Sequence, residues 1–373
     1  MIRIDEIYST TFGPWFEQNR PGTRLFVCEP FGHTDPEHLF NLPSAAAVDN
    51  DYVFMHDQEP IHLDIFRPLF DLVRQRNRDI GGHWEQDKWV QDTPNPAGHV
   101  VVSERGEYVE QLAEQYGWHT HYYFYHAWAC LDWFRGYDQT FLIPRARDRS
   151  PTRTFMSPNR IIAGRRDHRV LFLYNVFKQG LTDNHISAPR TCQYEGVDIS
   201  EIASKYCNTY ADIKQVFAEA ELPRLFSGET DQLMSSYELG NFAEAQDSVI
   251  YVPTETVYHG RRQHLTEKTF KAIALEMPFV LVAPAHSLSY LREYGFQTFA
   301  PYIDESYDLI EDPVKRIEAV TAILLEIQAR SAAAKLELHE QLLPRVEHNY
   351  RHFYRGGLSD ILWQELNTML AEF

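Results

Sequence analysis

The chain has 373 residues, of which 44% are hydrophobic, 24% charged and 14% aromatic. That length exceeds one ordinary compact domain and suits two, and the composition excludes a disordered or solvating polymer. The 35 basic and 53 acidic residues leave a net charge of −18, a field that repels polyanions, so any nucleic-acid contact has to be local.

The start of the chain carries Asp5 and Glu6 and has neither a basic opening nor an apolar run long enough to cross a bilayer, which predicts a cytoplasmic protein without a membrane span. Cys28, Cys130, Cys192 and Cys207 lie far apart with no C-x-x-C pair, the pattern of reduced thiols and not of a zinc knuckle or disulfide framework.

In chain order, residues 24–28, 51–56 and 99–103 read as apolar strands and 120–125 as a fourth. Ile65, Leu69, Leu72 and Val73 mark one face of a helix over 61–76, and Val109, Leu112 and Ala113 mark another over 107–116. Strands alternating with helices predict a parallel sheet.

Between 144 and 169 eight arginines crowd a stretch broken by Pro151, Pro158 and Gly164, and the domain boundary is placed there. It reads either as an exposed linker or as a local cationic strip in which Arg145, Arg147 and Arg149 hold phosphates of an acceptor. The second half then restarts with a strand over 170–174, helices near Glu201 and over 211–220, and a strand over 248–252. A helix over 266–277 carries Phe270, Ile273, Ala274 and Met277 on one stripe and is followed by Pro278, a strand over 279–282 and a short helix over 287–294. A long helical region runs from Pro313 past Leu343, and 361–370 supplies a last amphipathic helix. The expected domains are 1–150 for the acceptor, 168–345 for the donor, and C-terminal helices over 346–373 packing back on the first.

Thr266 is a good N-cap residue, and Lys268 stands in the first turn, where the helix dipole disfavours a cation unless an anion is present. Exposed amides, dipole and ammonium together make a phosphate site, and Glu267 beside them suits ribose hydroxyls; the alternative is a solvated helix start. Asp57 and Glu59 follow the strand over 51–56, and open α/β sheets place ligands at the carboxyl ends of their strands. A carboxylate or imidazole there would take the proton of an acceptor hydroxyl, with Glu59 preferred, Asp57 second and His56 third; the alternative for Glu59 is a helix cap before Ile61. Tyr174 and Asn175 end the strand over 170–174, with Lys178 and Arg190 following, and are candidates for phosphate or base contacts.

Asp49-Asn50-Asp51 matches a D-x-D pattern but precedes its strand and is read as a turn, and His33, Asp35 and His38 lack a ligand spacing. The aromatic stretch 122–125, with Trp128 and Trp133, is read as core, with sugar or base stacking the minor alternative.

The run His264-Leu265-Thr266-Glu267-Lys268, with Ala272 and then Pro278-Phe279-Val280, resembles the Y-V-T-E-K…A…V-P-V signature of the α1,3-fucosyltransferases and exostosin-like domains, which are GT-B glycosyltransferases. It departs from them in a shorter spacer before Pro278 and in His264 where tyrosine is usual. The D-Q-E-P segment at 57–60, Phe172-Leu173-Tyr174-Asn175 and the T-E-K-T-F-K segment from Thr266 are similar to segments of uncharacterised tailed-phage glycosyltransferases. The resemblance touches both halves but covers only short stretches.

The resemblance implies a GT-B α/β fold, two Rossmann-like domains facing across a cleft with the C-terminal helix crossing back to the first. It implies that Glu267 and Lys268 contact the ribose and diphosphate of a donor, a UDP- or GDP-sugar bound as substrate, with no tightly held cofactor and no metal requirement. It implies transfer of the sugar to a hydroxyl, with a hydroxymethylated pyrimidine in double-stranded phage DNA as one acceptor. A glycan or small-molecule acceptor, or a non-catalytic nucleotide-sugar-binding protein, are the alternatives.

Overall fold

The computed structural model describes residues 2–27, 52–60, 82–85, 88–91, 99–116, 119–140, 144–193, 195–226 and 238–373. The helix expected over 61–76, the residues His33, Asp35 and His38, and the D-x-D run at 49–51 lie outside the described residues. The chain forms two compact units: Met1–Asp132 with Arg262–His264 and Ile361–Phe373, and Trp133–Arg261 with Leu265–Asp360.

In the first unit, α1 (Gly13–Asn19) precedes β1 (Arg24–Val27) and β2 (Tyr52–His56), and β3 (Gly82–Glu85) and β4 (Lys88–Gln91) pair antiparallel by themselves. Next come β5 (His99–Val102), α2 (Glu107–Tyr116) and β6 (His119–Tyr122). Among the described residues the larger sheet is wholly parallel in the order β1-β2-β5-β6. Val53, Met55 and Val100 to Val102 are buried, as expected of strands covered on both faces. The buried stripe of α2 is Val109 and Leu112, as its spacing predicts.

The strand expected over 120–125 is shorter. It ends at Tyr122, and the chain turns at Tyr123 and Phe124 into α3 (Tyr125–Trp133). Residues 123–131 are all buried, and a run buried without alternation fits a core helix better than a strand at the sheet's edge. The C-terminal residues close this unit: Glu365 accepts from the Phe124 amide at 2.8 Å, and the Phe373 ring stacks on His121 with centroids 3.8 Å apart.

The second unit carries β7 (Arg153–Pro158), α4 (His168–Lys178), β8 (His185–Ser187), α5 (Ile213–Glu219) and β9 (Ser248–Tyr251). The sheet is parallel with the order β8-β7-β9, and parallel bridges Tyr251 to Phe279 and Thr254 to Val282 extend it by the expected segment over 279–282. Then follow α6 (Glu267–Ala274), α7 (Ser287–Glu293), α8 (Pro313–Gln328) and α9 (Ala332–Tyr354), and last α10 (Gly357–Ala371), which from Ile361 on belongs to the first unit. The region after Pro313 is two helices, because Ser331 caps a new start by accepting from the Ala334 amide.

Two expectations are corrected here. The run 170–174 is helical, buried throughout from His168 to Val176, because an unbroken apolar run satisfies a buried helix as well as a buried strand. The strand that opens this unit's sheet is β7, inside the arginine-rich stretch, which is therefore no linker. Its Phe155 and Met156 are fully buried while Arg153 at its start is ion-paired with Asp183.

Helix α6 ends in a Schellman motif. The Met277 amide donates to Ala272 O and the Glu276 amide to Ile273 O, with Glu276 in the left-handed region at φ 51° where glycine is preferred. A glutamate there costs about 1 kcal/mol of backbone strain. Its carboxylate, 3% exposed, offsets that by accepting from the Arg145 guanidinium and the Ala146 amide.

Candidate functional site

In the second unit β7 sits between β8 and β9, so the chain leaves β7 to one side and later returns to the other. That is a topological switch point, where open α/β sheets bind ligands outside the strands' carboxyl ends. The residues that follow β7 and β9 meet there. Thr254 donates to Asn159 Oδ1 at 2.8 Å, and the buried Arg169 of α4 donates to the carbonyls of Ile161 and Thr254 at 2.7 and 2.8 Å. Burial pushes the Arg169 guanidinium down to about 9.

Glu255, fully buried, is the hub of this edge. It accepts from the Thr266 hydroxyl at 2.6 Å, the Thr266 amide at 3.2 Å and the Thr269 hydroxyl at 2.6 Å. Thr266 does occupy the N-cap position of α6, but its hydroxyl makes no cap bond; it donates to Glu255 instead. A carboxylate of the protein thus lies against the positive end of the helix.

Lys268 folds back over the same turn. Its ammonium lies 2.8 Å from Glu267 Oε1, 3.1 Å from Thr266 Oγ1 and 3.2 Å from Thr256 Oγ1, and its side chain keeps 23% of its surface exposed. The Glu267 carboxylate explains a cation in the first turn of α6, and the side chain of Lys268 keeps part of its surface for a further anion. The structure brings Thr266, Glu267 and Lys268 together with Glu255 and Thr256, which the sequence reading missed. The run Thr254-Glu255-Thr256 just past a buried strand was the available signal.

The other donor candidates fall elsewhere. Tyr174, Asn175 and Lys178 are on the last turns of α4, with Lys178 about 13 Å along the axis from Arg169 at about 1.5 Å per residue. With Tyr210 and Glu318 they line a cavity of about 340 Å³, in which Tyr174 donates to Asp212 at 2.7 Å and Lys178 is ion-paired with the same carboxylate. Arg190 donates to the carbonyls of Phe217 and Ala220 at 3.1 and 3.2 Å, closing the C-terminal end of α5.

The arginines expected to clamp phosphates are held by the protein itself. Arg145 pairs with Glu276, Arg147 with Glu347, and the buried Arg149 donates to the carbonyls of Pro144 and Glu276. The guanidinium groups of Arg145 and Arg149 complete a structural network around the end of α6, because a charge near the core is held only where carboxylates and carbonyls receive it, whereas Arg147 keeps 60% of its side chain exposed in its pair with Glu347.

In the first unit the carboxyl ends of β2, β5 and β6 carry Asp57, Glu104 and Tyr123. Asp57 is fully buried and accepts from the Tyr8 hydroxyl at 2.7 Å and from the Tyr123 hydroxyl. Burial raises its carboxyl to about 6, against the lowering effect of both hydroxyls. His56, also buried, is pushed down to about 3 by burial and is a neutral imidazole at neutral pH. Glu59 is partly exposed, so of the two carboxylates in the D-Q-E-P segment it alone presents surface to an acceptor. The buried Glu104 receives Arg262, whose guanidinium lies over the Tyr108 ring at 4.4 Å from its centroid.

No protein family matches the chain, and no curated protein sequence matches it. Among solved structures, an α,α-trehalose-phosphate synthase (UDP-forming) from Burkholderia vietnamiensis is similar at 14% identity and a TM-score of 0.36, covering 86% of this chain and 70% of that one. A trehalose-6-phosphate structure from E. coli bound with UDP-2-fluoro glucose is similar at 15% identity and a TM-score of 0.37, over 84% and 68% of the two chains. A further trehalose-6-phosphate synthase reaches 14% identity and a TM-score of 0.33, over 85% and 61%. Among the described residues no helix is long and apolar enough to cross a membrane.

Proposed function

We propose that this protein is a GT-B glycosyltransferase that moves a sugar from a nucleoside-diphosphate donor to a hydroxyl acceptor. The observation that carries the reading is the part-exposed Lys268 side chain at the first turn of α6, on the carboxyl edge of the sheet at its switch point. There it meets a diphosphate as a charge-assisted donor, and Glu267 accepts from ribose hydroxyls. In the first unit Glu59 takes the proton as the acceptor oxygen attacks the sugar's anomeric carbon and the nucleoside diphosphate departs. Asp57 is the second candidate, since a carboxyl raised to about 6 is a stronger base but is sealed beneath Tyr8 and Tyr123.

For the acceptor we favour a glycan or small-molecule hydroxyl over a hydroxymethylated pyrimidine in DNA. The net charge of −18 repels a duplex, and Arg145, Arg147 and Arg149 are engaged within the protein. The test is incubation with a panel of UDP- and GDP-sugars while measuring bound nucleotide and released nucleoside diphosphate. Binding with release supports a transferase, and binding without release in the presence of any acceptor supports a non-catalytic nucleotide-sugar-binding protein. If neither UDP nor GDP binds at millimolar concentration, the donor site is not at α6.

A further inference from the structure

We propose that Asp167, His168 and His259 form a binding site for a divalent transition-metal ion of the zinc class, a site independent of the donor reading. One donor atom from each of the three lies within 4.8 Å of the others, and His259 Nε2 is 3.6 Å from Asp167 Oδ1. Two imidazoles and a carboxylate are a zinc-type ligand set with a fourth position left for water or substrate. Zinc bonds of about 2.0–2.1 Å in tetrahedral geometry separate ligand atoms by about 3.3 Å, so the donors close by roughly 1.5 Å at most. The half-exposed ring of His259 can supply that movement by turning about its side-chain bonds.

The second observation is the state of His168. Its ring is fully buried and stacked on Tyr258, with centroids 4.7 Å apart and planes within 10°. Its Nε2 lies 3.0 Å from the Glu255 carbonyl oxygen, which can only accept, so the proton is on Nε2 and Nδ1 carries a lone pair. Among the described residues that buried Nδ1 has no hydrogen-bond partner. Such an atom needs an explanation, and a histidine whose other nitrogen is fixed by a backbone carbonyl is the usual arrangement of a metal ligand. Lys205, exposed, holds Asp167 at 3.2 Å and would be displaced when an ion binds.

The experiment is Co²⁺ titration of the full chain, followed by visible d–d absorption, with zinc content measured after dialysis against micromolar zinc. One equivalent is expected. His259→Ala, an exposed change that spares the core, weakens Co²⁺ binding at least tenfold. Lys205→Ala removes the competing ammonium and tightens it about fivefold. The stacked pair His348 and His352, with centroids 5.9 Å apart, and the pair His99 and His121, with ring nitrogens 2.8 Å apart, are the competing histidine sites, so His348→Ala and His99→Ala should each leave the absorption unchanged. Co²⁺ binding that is unaltered in His259→Ala, unaltered in Lys205→Ala, or lost in His348→Ala or His99→Ala overturns the proposal.

Discussion

Replacing Asp57 by asparagine should make the protein's stability less sensitive to pH, by an amount that follows from the burial of this one carboxyl. In the folded chain its pKa is raised from 3.8 to about 6, because burial disfavours the charged form more than the two phenol hydrogen bonds favour it. A raised carboxyl pKa means that the folded state holds the proton more tightly than the unfolded one. Its stabilising contribution is therefore fully present below about pH 4 and is lost as pH rises through about 6. Two units at about 1.4 kcal/mol each come to about 3 kcal/mol. Asparagine keeps the shape and stays neutral at every pH, so the difference in unfolding free energy between Asp57→Asn and the unaltered chain should move in the variant's favour by about 3 kcal/mol between pH 3 and pH 8. Urea unfolding at intervals across that range reads it, and other titrating groups cancel in the difference. If the two stability profiles run parallel, Asp57 is ionised in the fold at neutral pH without penalty, and its burial does not raise its pKa.

Lys268→Ala should weaken binding of UDP or GDP by about 1.5–3 kcal/mol, the size of a hydrogen bond to a charged group; equal affinity by calorimetry would remove Lys268 from the donor site. Glu59→Gln should leave donor binding intact and slow transfer by about a hundredfold, measured as released nucleoside diphosphate with acceptor present. Full activity in Glu59→Gln beside an inactive Asp57→Asn would move the base to Asp57. Glu276→Gln keeps the left-handed residue at the end of α6 but strips the charge that faces Arg145 and the buried Arg149, and should cost about 3 kcal/mol in urea unfolding. No loss there would mean that these arginines do not depend on Glu276 for their charge balance.

The amino-acid sequence by itself determined the α/β class of the fold and the place of the helix that begins at Glu267. Periodicity located the strands of the first sheet, the helix Glu107–Tyr116 and the helix behind Thr266, because alternation and a repeating apolar stripe are local signals that burial amplifies. Tertiary structure decided what local pattern leaves degenerate. The run 170–174 has the same apolar composition as a buried strand and became a helix, while the strand Arg153–Pro158 was hidden among arginines whose charges are met by carboxylates distant in sequence. The same holds at the candidate sites. Thr266, Glu267 and Lys268 stand together in the sequence, but Glu255, which receives the start of their helix, and His259, which joins Asp167 and His168, arrive only when the chain folds, since hydrogen bonds and ion pairs are set by position in space and leave no periodic trace in the chain.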